Sequence, residues 1–146
     1  MKNILITGAA GFIGYNLTKN LIENKEIKVF GIDSLNSAYD NNLKKLRLKN
    51  LENNENFTFS KIDLSNQDSF DDIQGSNFDC VIHLAARAGV RQSFREPKKY
   101  ILDNTVSTTN LSGFVKKEEI QKFLIASTSS ISVSYTHLRA HETARH

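Results

Sequence analysis

Short apolar runs recur along the chain, and each one ends in glycine, small or polar residues. Runs of this length, with alternating or continuous apolar character, are typical of strands that are half or fully buried. They predict five strands, at residues 2–7, 28–33, 57–63, 78–85 and 122–127. The segments between these runs are long enough to carry helices that connect neighbouring parallel strands.

Helical spacing of apolar residues fills most of those connecting segments. It predicts helices over residues 12–23 and 43–51, a third helix capped by Ser65, and a long helix that starts at Pro97. The long helix has a predicted buried stripe of Ile101, Thr105, Thr108, Leu111 and Val115. Alternating strands and helices predict an α/β fold, a doubly wound parallel sheet in the order 3-2-1-4-5, truncated after strand five.

Composition limits the chain to ordinary globular classes. Its 146 residues, 39% hydrophobic and 24% charged, suit one domain without a bilayer-spanning run or a secretory pattern. We therefore predict a cytoplasmic protein that is not bound to a membrane. The net charge of +3 is small, and its basic residues, Lys44 among them, are scattered as on solvated helix faces. We expect no nucleic-acid partner.

The last fourteen residues differ in composition from the rest. Residues 133–146 contain three of the four histidines, but no lysine, asparagine or isoleucine. The stretch 133–143 is also what a common transposase-type sequencing adapter encodes in one reading frame. We predict a domain at 1–132 and a non-native tail at 133–146, with a genuine C-terminal helix as the alternative. His137 and His141 mimic a metal pair within that tail, and we predict no metal site.

The first predicted strand ends in a glycine-rich turn. Gly8, Gly11 and Gly14 allow a tight turn, a close backbone approach to a pyrophosphate, and packing of the following helix. The helix N-terminus, which includes Phe12 and Ile13, offers backbone N–H groups to phosphates. Asp33, at the end of the second strand, is placed to accept hydrogen bonds from ribose hydroxyls and to disfavour a ribose phosphate. Together they predict NAD as cofactor; the alternative is that the glycines serve only a tight turn.

The G-x-x-G-x-x-G spacing resembles that of the extended short-chain dehydrogenase/reductase family, the NAD-dependent epimerases and dehydratases with a Rossmann domain. Further segments at predicted strand ends resemble the same family. The resemblance implies that Asp63 and Leu64 flank the adenine, and that Leu84, Ala85 and Ala86 run beside the nicotinamide ribose. It also places Ser127, Thr128 and Ser129 at the active site: Ser127 at the cofactor, Thr128 at the reacting oxygen and Ser129 at the substrate. The alternative for these three is a cluster that only satisfies the strand end.

Two segments resemble UDP-glucuronate 4-epimerases in particular. The first runs from Gly31 through Asp33 and Asn36 to Lys44 and Arg47, and the resemblance implies that Asn36 binds the cofactor. The second runs from Ala86 through Val90 and Arg91 to Tyr100, and implies that Val90 and Arg91 face the substrate. An arginine there offers a guanidinium to a pyrophosphate or a sugar carboxylate. The alternative is that Arg91 is only a surface arginine at the start of a helix.

Three polar residues in the predicted core need an account. The family has an asparagine near the cofactor where this chain has Asn104, and the alternative is a local structural hydrogen bond. His83 is predicted as a packed structural histidine rather than a base. Ser107 departs from the family, which usually has glycine at that place.

The resemblance implies an epimerisation. A tyrosine, activated by a lysine four residues later, removes a proton from a sugar hydroxyl while NAD takes a hydride and returns it to the other face. No Tyr-x-x-x-Lys follows Thr128 in this chain. We therefore expect an N-terminal fragment that is inactive, from a homodimeric parent enzyme that interconverts UDP-glucuronate and UDP-galacturonate. A UDP-glucose 4-epimerase, a nucleotide-sugar dehydratase and a non-catalytic NAD-sensing protein are the alternatives.

Overall fold

A computed structural model of the chain describes residues 1–36 and 40–127. Five strands form a single parallel sheet in the order β3-β2-β1-β4-β5, which confirms the predicted class and order. The strands are β1 Lys2–Thr7, β2 Ile27–Asp33, β3 Phe57–Lys61, β4 Cys80–His83 and β5 Lys122–Ile125. Within the described ranges, no helix is long and apolar enough to cross a membrane.

Helical segments connect every pair of consecutive strands. They are α1 Phe12–Leu21, α2 Asn41–Glu52, a 3₁₀ helix Gln67–Ile73, α3 Val90–Arg95, α4 Pro97–Tyr100, a π-helical segment Ile101–Val106, and α5 Ser107–Lys117. The last three follow one another without a break, so a single helix with a wide turn in its middle runs from Pro97 to Lys117.

Side chains of the sheet alternate between two hydrophobic cores, one on each face. On β1, Leu5 packs into the core that α5 and the 3₁₀ helix cover, while Ile6 packs into the core under α1 and α2. Both residues are fully buried. Because successive side chains of a strand point to opposite faces, one short strand supports both layers of helices. This two-sided cover is what makes a continuous apolar strand favourable.

The structure corrects three details of the predicted elements. Asn66, not Ser65, caps the 3₁₀ helix, since its side chain accepts the Asp68 N–H, while Ser65 bonds the Asp63 carboxylate. The three later strands are shorter than predicted, because their last residues leave the ladder to form the loops of one sheet edge, and β4 also begins two residues later than predicted, at Cys80. Helix α3 was not predicted as a separate element.

The predicted buried stripe of the long helix is right only in its second half. Leu111 and Val115 are buried, but Ile101 is 57% exposed and Thr105 is exposed. The buried face instead includes Ser107 and Phe114. A π turn changes the rotation per residue, so one 3.6-residue period does not extend across it.

Candidate functional site

A cleft of about 370 Å³ lies at the carboxyl ends of the parallel strands. It runs along the loops that follow β1, β2, β3 and β4, as ligand clefts do in open α/β sheets. Nine of the predicted cofactor residues line it: Gly8, Gly11, Asp33, Asn36, Asp63, Leu64, Leu84, Ala85 and Ala86. Gly8, Asp33, Asp63 and Ala85 thus share one edge of the sheet.

The glycine turn after β1 has no room for side chains. Gly8 has a φ of +70°, and a Cβ added there would lie 2.9 Å from the backbone of Ala85. A Cβ on Gly14 would lie 2.2 Å from the carbonyl oxygen of Gly8. The turn therefore requires glycine both for its conformation and for the close contact between α1 and the sheet.

Helix α1 begins directly after this turn, at Phe12. Gly11 is its N-cap and supplies no side-chain cap hydrogen bond, and its first turn contains no acidic residue. Phe12 and Ile13 are 70% and 65% exposed. Within the described part of the chain, the N-cap residue therefore leaves the N–H groups of the first turn without a side-chain cap, which is the condition for anion binding at a helix start.

Asp33 forms a buried ion pair with Lys44. Its Oδ1 accepts from Lys44 Nζ at 2.9 Å and from the Leu35 N–H at 2.8 Å, and both charged side chains are 6% exposed. Both residues line the cleft. The prediction that Lys44 belongs to a solvated helix face is therefore wrong. Helix α2 turns this lysine inward, because a buried carboxylate at the end of β2 needs a counter-charge.

The same helix contacts the glycine turn. Arg47 Nη1 donates to the carbonyl oxygen of Ala10 at 3.2 Å, and its guanidinium lies 6.0 Å from the centre of the Phe12 ring. With Lys44, this makes α2 a wall of the cleft. Helix α2 is therefore packed against the ends of β1 and β2.

His83, at the end of β4, is 4% exposed and hydrogen-bonded at both ring nitrogens. Its Nδ1 lies 2.6 Å from Thr7 Oγ1, and its Nε2 lies 2.9 Å from Thr108 Oγ1. Thr108 donates its own proton to the Asn104 carbonyl, so Nε2 carries the imidazole proton and Nδ1 accepts from Thr7. Burial lowers the pKa of His83, which keeps the ring neutral. The prediction of a packed structural histidine is confirmed.

Thr7 also fixes the loop after β4. Its Oγ1 accepts the backbone N–H groups of Leu84 and Ala85, at 3.2 and 3.1 Å. Because Ala85 lies against Gly8, these two hydrogen bonds set the spacing between the glycine turn and the β4 loop. Thr7 itself is fully buried.

The π-helical segment presents Asp103 and Asn104 to the β4 loop. Asp103 Oδ2 accepts from Arg87 Nε at 2.6 Å and from Asn36 Nδ2 at 3.3 Å. The Asn104 amide binds the Arg87 backbone twice, accepting its N–H at 2.7 Å and donating to its carbonyl at 3.0 Å. Asn104 was predicted either to lie near the cofactor or to form a local structural hydrogen bond. The structure shows the local hydrogen bond, and Asn104 is not among the residues that line the cleft. Contact with a cofactor stays a prediction.

Ser107 closes the π turn from its other end. Its Oγ donates to the Leu102 carbonyl at 2.9 Å, and its N–H bonds the same oxygen. The residue is 4% exposed and lines the cleft. The hydroxyl thus adds a second hydrogen bond to the carbonyl that accepts the π-helical N–H.

Several predicted site residues lie away from the cleft lining. Phe12, Ile13 and Gly14 lie on α1 just beyond the glycine turn. Val90 and Arg91 open α3 and are exposed, with Val90 70% exposed. Ser127, after β5, is exposed and does not line the cleft. Thr128, Ser129 and the tail 133–146 lie outside the described residues.

Four residues of this region were missed as site residues from sequence: Thr7, Lys44, Arg87 and Asp103. Thr7 carried a usable signal, because a hydroxyl at the last position of a buried strand needs partners at the strand ends. The other three are charged residues, which are mostly found on protein surfaces. Nothing in their spacing indicates that Lys44 pairs with Asp33, or that Arg87 pairs with Asp103 sixteen positions later.

Fold and cleft define the class: this is a Rossmann-type α/β protein, with its cleft at the point where strand order reverses beside β1. A model of the family described as GDP-mannose 4,6 dehydratase matches residues 5–144. The chain belongs to that family. The match includes most of residues 133–146, whose foreign origin stays a prediction.

Several proteins similar to this chain are nucleotide-sugar epimerases. The chain is 44% identical over 132 residues to UDP-glucuronate 4-epimerase of Thermodesulfobacterium geofontis, covering 90% of this chain and 41% of that protein. It is 32% identical to a UDP-glucose 4-epimerase of Pisum sativum, covering 89% and 37%. A solved structure of Bacillus cereus UDP-glucuronic acid 4-epimerase, a tyrosine-to-phenylalanine variant with a fluorinated UDP-sugar and NAD, matches with a TM-score of 0.79 and 38% identity, over 88% and 40%. The chain thus spans about two fifths of these relatives.

Proposed function

We propose that this chain is the NAD-binding portion of a nucleotide-sugar 4-epimerase. The observation that carries the proposal is the cleft at the carboxyl ends of β1 to β4, where the glycine turn, Asp33 and Asp63 lie together. The family relationship supports it, since the relatives described above are 4-epimerases.

The residues present fit a dinucleotide. A pyrophosphate would bind where Gly8 and Gly14 leave the backbone bare, at the N–H groups that open α1. Asp33 would accept ribose hydroxyls, because its carboxylate lines the cleft while Lys44 compensates its charge. Asp63 and Leu64 would flank the adenine, and Ala85 and Ala86 the nicotinamide ribose. When bound, NAD supplies a hydride acceptor and donor.

This chain's own contribution to the reaction is to bind and orient. The network of Thr7 and His83 holds the β4 loop against the glycine turn, and the neutral imidazole adds no charge there. Thr128 is proposed to hydrogen-bond the reacting oxygen, Ser127 to contact the cofactor, and Ser129 to contact the substrate. The proton transfer itself is assigned to a tyrosine and a lysine that do not follow Thr128 here, so we propose that the 146-residue chain binds NAD without turnover.

For the complete protein we propose interconversion of UDP-glucuronate and UDP-galacturonate, in a homodimer in the cytoplasm. Arg91 supports this substrate, because an exposed guanidinium at the start of α3 suits a sugar carboxylate or a pyrophosphate. UDP-glucose epimerisation is the second candidate, since a UDP-glucose 4-epimerase is among the relatives.

Calorimetric titration of the 146-residue chain with NAD and with NADP tests the cofactor proposal. Asp33→Asn should weaken NAD binding about ten- to hundredfold, the range expected for a lost charge-assisted hydrogen bond. It should also reduce the ratio of the affinity for NAD to the affinity for NADP. Asp79→Asn is the matched control, because Asp79 bonds Asn3 at the opposite edge of the sheet. Equal NAD affinity in the Asp33 variant and the wild type would remove Asp33 from the site.

The substrate proposal needs the full gene from the source DNA. Its product should convert UDP-glucuronate faster than UDP-glucose, and Arg91→Leu should reduce the first rate more than the second. Equal loss on both sugars would count against a carboxylate contact. The same genomic sequence tests the tail, since residues 133–146 encoded contiguously there would refute the adapter interpretation.

A further inference from the structure

The cleft is bounded by loops from separate strands, and one carboxylate joins two of them. Asn36 lies in the loop after β2, Arg87 lies in the loop after β4, and both side chains donate to Asp103 Oδ2. All three residues line the cleft. Because β1 lies between β2 and β4 in the sheet, this bridge spans two interstrand spacings, about 10 Å.

The bridge is more enclosed than an ordinary surface ion pair. The Arg87 and Asp103 side chains are 13% and 22% exposed, and their N–O distance is 2.6 Å. Limited access to water strengthens such a pair relative to exposed ones, which contribute little. The two donors also satisfy one oxygen from different directions, so the carboxylate is held by both loops.

Arg87 is held at its backbone as well. The Asn104 amide bonds both its N–H and its carbonyl, and the Tyr100 ring lies 5.8 Å from its guanidinium. Tyr100 also reaches the carbonyls of Ala88 and Gly89 at 2.8 and 2.9 Å. One face of the long helix therefore fixes residues 87–89, and Asp103 connects the same face to the loop after β2 through Asn36.

We propose that Asp103 is a positioning residue, which ties the β2 loop to the β4 loop and thereby sets the width of the cleft. The ligand concerned is the dinucleotide of the proposed function, on which this inference rests. Asp103 acts through Arg87 and Asn36, and the loops that it joins are those that would contact the adenine side and the nicotinamide side of that ligand.

Two measurements on the 146-residue chain test this role. Amide hydrogen exchange without ligand should accelerate about tenfold at Leu35 and Arg87 in Asp103→Ala, and stay unchanged in β1 and β4. NAD affinity should fall about tenfold, because part of the binding free energy would then be used to order the two loops that Asp103 no longer joins. Asp103→Asn keeps an acceptor oxygen and should lie between the wild type and the alanine variant. Asp79→Asn, which removes the same charge at the far edge, should change neither.

The outcomes separate this inference from the proposed function. If the wild type does not bind NAD, the proposed function fails, and the exchange rates alone decide whether Asp103 holds the two loops. Unchanged exchange at Leu35 and Arg87 would overturn the positioning role, and so would faster exchange with unchanged NAD affinity. If Asp103→Ala does not fold, Asp103→Asn supplies both readouts, and its equality with the wild type in each would overturn the role.

Discussion

Replacing Lys44 by methionine tests whether the buried ion pair beneath the cleft supports the fold. The substitution keeps the length of the side chain and leaves the Asp33 carboxylate, 6% exposed, without that cation. Removing one partner of a buried pair costs about 3–5 kcal/mol, because the other charge stays desolvated. We expect the lower end, about 3 kcal/mol, since the Leu35 N–H still donates to the same oxygen.

Urea unfolding followed by far-ultraviolet circular dichroism measures this loss. With a slope of about 1.5 kcal/mol per molar urea, the midpoint should fall by about 2 M. If the chain's total stability is smaller than the loss, Lys44→Met should be unfolded in buffer where the control is folded. Lys45→Met is that control, because Lys45 is exposed one position away and its replacement should change the free energy of unfolding by less than about 0.5 kcal/mol.

A double substitution separates the charge pair from packing. Asp33→Asn combined with Lys44→Met removes both charges, and it should lose less stability than Lys44→Met alone, because no charge remains buried without its partner. Equal stability of Lys44→Met and Lys45→Met would refute the reasoning, since it would mean that the buried carboxylate does not need its lysine.

Three further variants test other parts of the structure. Gly8→Ala should abolish NAD binding and lower the melting temperature, because its Cβ would meet the Ala85 backbone at 2.9 Å in a φ +70° turn; a variant that binds and melts like the wild type would contradict this. His83→Gln should remove a pH dependence of stability. Burial lowers the His83 pKa below its usual 6.5, so on acidification the unfolded chain binds a proton that the folded chain does not. The stability of the wild type should therefore fall more than that of the variant from about pH 7 to pH 5. The measurement is the free energy of unfolding by urea at several pH values, and an equal pH dependence in the wild type and the variant would refute this prediction. Leu124 and Ile125 are 53% and 52% exposed on the edge strand β5, so Leu124→Lys should reduce the concentration-dependent association that we expect in size-exclusion chromatography; a wild type that stays monomeric at all concentrations would contradict this.

The sheet and its glycine turn could be predicted from sequence because their causes are local. Apolar runs of strand length, each followed by a helical period, allow few arrangements, and a turn such as that at Gly8 needs glycine in any such fold. The cleft residues at strand ends follow from the same logic. Asp33, Asp63 and Ala85 each come directly after or at the end of a run, and parallel strands place those ends together.

The residues that support the cleft could not be predicted, because their partners are set by tertiary contacts. Lys44 lies among lysines and leucines on a polar helix, and its burial depends on a carboxylate eleven positions away. Asp103 has the polarity of a surface residue, and its two partners are in different loops. The π turn is a further case, since its wide turn leaves no mark in the apolar period that predicted Ile101 and Thr105 as buried.

The hydrogen bonds on both sides of His83 run in one direction, with each group donating to the next. Backbone N–H groups donate to Thr7, Thr7 to the imidazole, the imidazole to Thr108, and Thr108 to the carbonyl of Asn104. A proton added at Nδ1 would point at an oxygen that already accepts two N–H groups, and the hydroxyl proton of Thr7 would lose its acceptor. The series cannot reverse without breaking the contacts that hold the β4 loop in place. His83 is therefore unsuited to relay protons, and any acid–base chemistry at this cleft has to come from other groups.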